Sequence, residues 1–137
     1  MSLVVVQVVQ EMSSVGGVET VAHELARAFN RVAVENIVMT SSVGEIVDSN
    51  IAVELVAPWL ARIPTRGAMR YLGRAVVIPI FTIAATFALR RRAGAMIISH
   101  GDSLKGDVLV VHAVNAQSLT EKRRAGSWWW LINPLHL

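Results

Sequence analysis

Residues 3–9 read as a β-branched run that is apolar on both faces, and no other feature constrains the fold as strongly. A strand with two apolar faces belongs in the middle of a parallel sheet, covered on both sides. A polar, glycine-containing turn follows at residues 11–17. Residues 18–31 then take up helical period, with Val18, Val21, Ala22, Leu25, Ala28 and Phe29 on one face. Further strands are expected at 34–40 and 51–56. Strand, loop, helix and two more strands form the opening of a doubly wound sheet. The expected fold is therefore α/β, a Rossmann-like three-layer domain with a mostly parallel sheet.

The second half is less regular. A loop at 57–64 carries Pro58, Trp59 and Pro64, and a long helical segment is expected over 66–92, with Pro79 as the point for a kink. Strands are expected at 95–99 and 108–112, separated only by residues 101–107. A parallel crossover with its helix needs about 10–12 residues, so an antiparallel or irregular join is expected there. A short helix at 116–125 and the run Trp128-Trp129-Trp130 follow. The 137 residues suit one domain, without internal repeats.

Charge is unevenly spread. The net charge is +3, yet residues 55–101 hold Arg62, Arg66, Arg70, Arg74, Arg90, Arg91 and Arg92 and no acidic residue. A basic block among apolar residues suits an anionic partner. Arg66, Arg70 and Arg74 recur every four residues, which puts them on one face of a helix. They read either as a solvated face or as membrane-facing residues on an anionic bilayer surface. Residues 75–89 carry no charge, a run of 15 that falls short of the ~20 needed to span a bilayer. A buried or interfacial helix is expected instead. Nucleic acid is disfavoured, because no known nucleic-acid-binding motif is visible. Cysteine is absent, and His23, His100, His112 and His136 are too scattered for a structural zinc site.

The chemistry is expected at the carboxyl ends of the strands, where open α/β sheets bind ligands. Gly16 and Gly17 open the first helix there, and a helix amino-terminus offers unpaired N–H groups to an anion. The dinucleotide fingerprint G-x-G-x-x-G is missing, which disfavours a nicotinamide or flavin dehydrogenase. His100 and His112 each close an expected strand at that same edge. His23, inside the first helix, reads as structural or exposed.

At the loop Gly16-Gly17-Val18-Glu19, at Ile97-Ile98-Ser99-His100-Gly101 and at Val110-Val111-His112-Ala113, the sequence resembles the family 4 glycosyltransferases, retaining enzymes with the GT-B fold. The resemblance covers essentially the whole chain. It implies transfer of a sugar from a nucleotide-sugar donor, with retention, to a glycan, lipid or small-molecule acceptor. It implies that Gly16, Gly17 and Glu19 lie by the donor phosphates and the acceptor, that His112 is the catalytic residue by the transferred sugar, and that His100 lines the cleft. No cofactor and no metal is implied. The chain would be the amino-terminal, acceptor-side domain, incomplete at its carboxyl end and without the donor-binding domain, cytoplasmic or peripheral on the inner face of a membrane. A fragment of this kind is expected to be inactive alone. The rival readings are a non-catalytic membrane-associated or partner-binding remnant of such an enzyme, and a Rossmann-like nucleotide binder of another chemistry.

Overall fold

The computed structural model describes residues 3–14, 16–45, 48–110 and Arg124. His112, His136, the helix expected at 116–125 and Trp128-Trp129-Trp130 lie outside the described residues. In chain order the elements are β1 (Val4–Val8), β2 (Glu11–Met12), α1 (Gly17–Arg31), β3 (Glu35–Thr40), β4 (Ser42–Val43), β5 (Ala52–Leu55), α2 (Arg70–Leu89), β6 (Met96–Ser99) and β7 (Val108–Leu109). Two 3-10 turns, Pro58–Arg62 and Gly67–Met69, lead into α2.

Five strands form one sheet in the order β5-β3-β1-β6-β7, and every pairing in it is parallel. β2 and β4 pair as a small parallel annex beyond the carboxyl ends of β1 and β3. β1 is central, with Val5, Val6 and Val8 fully buried. It is not wholly apolar, however: Gln7 is fully buried as well. Its amide is accommodated by donating to Asn36 Oδ1 on β3 at 3.2 Å, as a buried polar group requires.

The two helices cover opposite faces. Ala22 and Ala26 of α1 pack with Val9, Met12, Val38 and Ile51, while Val77, Phe81, Ala85 and Leu89 of α2 pack with Val6, Val8, Met39 and Ile97. Burying a side chain the size of Val, Leu or Phe contributes roughly 1.5–3 kcal/mol, so α2 is held mainly by this stripe. The buried face of α1 is rotated from the expected one. Ala22, His23 and Ala26 are buried, whereas Val21 and Ala28 face solvent. Small alanines let α1 approach the sheet closely, and the bulkier Leu25 and Phe29 settle on its flanks.

Two further expectations are corrected. The irregular join between β6 and β7 is present, but the strands are parallel, not antiparallel. Val108 pairs with Ile98, one residue before the end of β6, so the chain backtracks by only about one residue (~3.3 Å) and needs no helix. Asp107 anchors the return. Its N–H donates to the Ile97 carbonyl at 2.8 Å, and its carboxylate accepts from the Ile97 N–H at 2.8 Å. Second, the helix starts at Arg70, not at residue 66. Arg66 is extended backbone (φ −128°, ψ 165°) and shares no helix face with Arg70 and Arg74. Pro79, expected as the point for a kink, lies within the span of α2. Pro79 and Ala75, whose carbonyl loses its helical donor, are both exposed, so water can reach the orphaned oxygen.

Gly73 fixes how the loop crosses α2. A Cβ at this position would lie 1.8 Å from the Pro64 carbonyl oxygen. Only glycine admits the Pro64–Thr65 backbone this close, and that contact sets where Arg66 emerges.

Candidate functional site

The chain runs outward from β1 through β3 to β5, then crosses by α2 to β6 on the other side of β1. The strand order therefore reverses between β1 and β6. Such a switch point opens a crevice beyond the strand ends in α/β sheets. A cleft of about 310 Å³ lies there, lined by Val9, Gln10 and Glu11 after β1, His100 and Asp102 after β6, and Val18 and Glu19 in the first turn of α1. Its far wall is Thr65, Arg66, Arg74 and Ile78. A neighbouring hollow of about 410 Å³ shares Gln10, Glu11, Thr65 and Arg66 and adds Gly44, Leu60 and Ile63.

The floor of the cleft is tightly tied. The Gln10 carbonyl accepts from Thr40 Oγ1 (3.1 Å), Ser41 Oγ (2.7 Å) and the Ser41 N–H (3.1 Å). The Gln10 N–H donates to Asp102 Oδ2 at 2.9 Å. The ends of β1, β3 and β6 are thus joined at one residue, Gln10. His100 is buried, with Nε2 3.0 Å from Gln7 Oε1. Gln7 uses its Nε2 to donate to Asn36, so its oxygen faces the ring and His100 donates through Nε2–H. A buried polar chain, His100–Gln7–Asn36, thus crosses three adjacent strands.

The glycine loop divides by role. Gly16 has φ 115° and ψ 169°, a region open essentially to glycine alone, and a Cβ there would overlap the Glu19 carboxylate. Gly17 has nothing within 4 Å of its Cβ position, so no steric demand requires glycine there. The N-cap residue, Gly16, brings no side chain to cap α1, and Glu19, its acidic first-turn residue, lies at the positive end of the helix dipole.

The arginine set separates in the same way. Arg66 and Arg74 line the cleft, and Arg66 reaches Glu11 Oε1 at 2.8 Å while remaining 82% exposed. Arg70 is directed elsewhere, over the Tyr71 ring at 4.6 Å and onto the Tyr71 hydroxyl at 2.6 Å. Arg92 pairs with Glu54. His23 is buried, with no partner for Nε2 among the described residues, and lines neither hollow. Glu11, Asp102 and Gln10 are site residues that sequence reasoning missed. The available signals were the polar residues directly after β1 and the aspartate two positions after His100.

Chemically, the cleft offers two guanidinium groups and the start of α1 toward an anion, and the carboxylates of Glu11, Glu19 and Asp102 as acceptors for hydroxyls. Among the described residues, no three His, Cys, Asp or Glu side chains are gathered as a metal site requires.

No family model and no curated protein matches the sequence. Among solved structures, the chain is similar to the crystal structure of WaaG, a glycosyltransferase involved in lipopolysaccharide biosynthesis, with a TM-score of 0.59 and 12% identity over 86% of this chain. The chain spans 29% of the length of that protein. At this identity the likeness is one of fold. The fold is Rossmann-like α/β with a mostly parallel sheet flanked by helices, the kind found in a GT-B glycosyltransferase.

Proposed function

We propose that the chain is the acceptor-side domain of a retaining glycosyltransferase of the family 4 type, which moves a sugar from a nucleotide-sugar donor to an acceptor. The observation that carries this reading is the cleft at the β1–β6 switch point, in a domain that shares its fold with a glycosyltransferase. Sugar transfer needs acceptors for hydroxyl groups and positive charge for a departing phosphate. Glu11, Glu19 and Asp102 offer the first, and Arg66, Arg74 and the start of α1 offer the second. In this reading His112 is the catalytic group by the transferred sugar, and Gly16 gives the loop its approach to donor and acceptor. The positive side chains and the helix terminus take the role that a metal ion has in other transferases.

The test is a titration of the 137-residue chain with nucleotide sugars and with free sugar phosphates, followed by amide NMR shifts. The expected outcome is weak, saturable shifts at Gly17–Glu19, Arg66 and His100–Asp102, reduced in an Arg66→Gln/Arg74→Gln variant. Shifts confined to other parts of the sheet, or none at any ligand concentration, would overturn the assignment.

A further inference from the structure

α2 has a second face that the fold leaves uncovered. Its buried stripe is Gly73, Val77, Phe81, Ala85 and Leu89. On the opposite side, Leu72, Val76, Pro79, Ile83, Phe87 and Arg90 follow one another at steps of three or four, the spacing of a single helix face. All six are exposed, Leu72 to 60%, Ile83 to 52% and Phe87 to 56%. An amphipathic helix of a globular domain turns polar residues outward; here five of the six outward positions are apolar.

Each end of α2 carries a cation laid over an aromatic ring, and the pair at the finish belongs to this face. Arg70 lies over Tyr71 at the start, and Arg90 lies over Phe87, 4.5 Å from its centroid, at the finish. Arg91 beside it is exposed. Arg70 and Arg74 are not explained by helix stability. They occupy the first turns of α2, where no acidic residue is present and where the helix dipole disfavours positive charge.

We infer that α2 is a membrane-docking element that lies flat on an anionic bilayer, with the Leu72–Phe87 face in the headgroup layer and Arg70, Arg90 and Arg91 on lipid phosphates. Charge selects this occupant. A second copy of the chain laid along the same face, parallel or antiparallel, sets arginines against arginines, because residues 55–101 contain no acidic residue to neutralise them. An anionic lipid surface complements both ends at once. Residues 67–89 are also long and apolar enough to cross a membrane. The packing of Val77, Phe81, Ala85 and Leu89 on the sheet holds the helix on the domain, so it lies along the interface and does not cross it. Arg66 and Arg74, which line the cleft, are not part of the docking set.

Co-sedimentation of the full chain with vesicles of phosphatidylcholine alone, and with phosphatidylglycerol added, tests this at low and high salt. Binding is expected only to the anionic vesicles, and less at high salt. Arg70→Gln/Arg90→Gln/Arg91→Gln should reduce partitioning about a hundredfold, from roughly fivefold per cation near an anionic surface. Leu72→Ser/Ile83→Ser/Phe87→Ser should abolish it, and circular dichroism checks that both variants stay folded. Arg66→Gln/Arg74→Gln should bind vesicles as the parent does, so loss of sugar-phosphate binding in that variant is read separately from docking. Equal binding to neutral vesicles, no binding to either, or binding that survives both α2 variants would overturn the inference. So would a concentration-dependent dimer that the serine variant dissolves while vesicles go unbound.

Discussion

His100 donates through Nε2 to Oε1 of Gln7 across 3.0 Å, linking the residue that follows β6 to the middle of β1. Both side chains are buried. Gln7→Leu keeps a similar volume but leaves the imidazole N–H without that acceptor and Asn36 without that donor. A buried donor stripped of its acceptor costs about 1–3 kcal/mol. The urea midpoint of Gln7→Leu should therefore fall with its slope unchanged, and the ring N–H of His100 should lose its protection from exchange. An unchanged midpoint and a still-protected ring proton would mean that Gln7 does not hold the histidine.

Gly73→Ala tests the close crossing of Pro64 over α2. The added methyl group meets the Pro64 carbonyl oxygen at 1.8 Å, so backbone must move. Overpacking of this kind costs typically 1–3 kcal/mol. The expected readout is a lower melting temperature together with NMR shift changes at Thr65, Arg66 and Arg74, the cleft residues that flank the crossing.

Gly16 and Gly17 should respond in opposite ways. Gly16→Ala forces a side chain into a backbone region that costs on the order of 1–3 kcal/mol and also displaces Glu19. Gly17→Ala meets open space in the first turn of a helix, where alanine is preferred by up to about 1 kcal/mol. Denaturant unfolding of the two variants should show a clear loss for the first and no loss for the second.

The Glu11–Arg66 pair is short, at 2.8 Å, but Arg66 is 82% exposed. A double-mutant cycle with Glu11→Gln and Arg66→Gln should give a coupling of about 1 kcal/mol or less in stability, diminished by salt. A larger coupling would show that the pair braces the fold and is not free to meet a ligand.

The isolated chain is expected to turn over no nucleotide sugar above a His112→Ala control. Catalysis requires the reacting groups to be held from both sides, and the chain spans 29% of the length of WaaG, the glycosyltransferase whose fold it shares. Radiolabelled transfer to a panel of glycan and lipid acceptors is the measurement, and reproducible turnover above that control would overturn the expected inactivity of the isolated chain while supporting the transferase reading.

The sheet was legible because strand signals are local. The apolar runs of β1, β3, β5 and β6 each lie within a residue or so of their expected bounds, and the edge holding His100 follows from those bounds. The helix faces were less legible. Periodicity located α1, but Ala22 and Ala26 rather than Val21 and Ala28 meet the sheet; close packing rewards small side chains, which a hydrophobicity pattern undervalues. The arginine triplet misled for a related reason. Equal spacing implies one face only inside one helix, and Arg66 lies before the helix begins. Gln7 carried a signal that went unused, since a lone amide inside a valine run needs a buried partner. Asp102 and Glu11 join the cleft through chain crossings between distant segments, which no local spacing encodes.

The strand order has a kinetic consequence. β1, α1 and β3 are neighbours in the chain and can assemble early as one local unit. β6 completes the sheet against β1 only after roughly ninety intervening residues have been brought around, a closure with a larger entropic cost and slower formation. His100 and Asp102 arrive with β6, so the crevice is among the last parts of the molecule to exist. An early folding unit of β1, α1 and β3 would have one of the sheet's four pairings and no ligand pocket, and a ligand that binds the crevice would slow unfolding without speeding the first collapse.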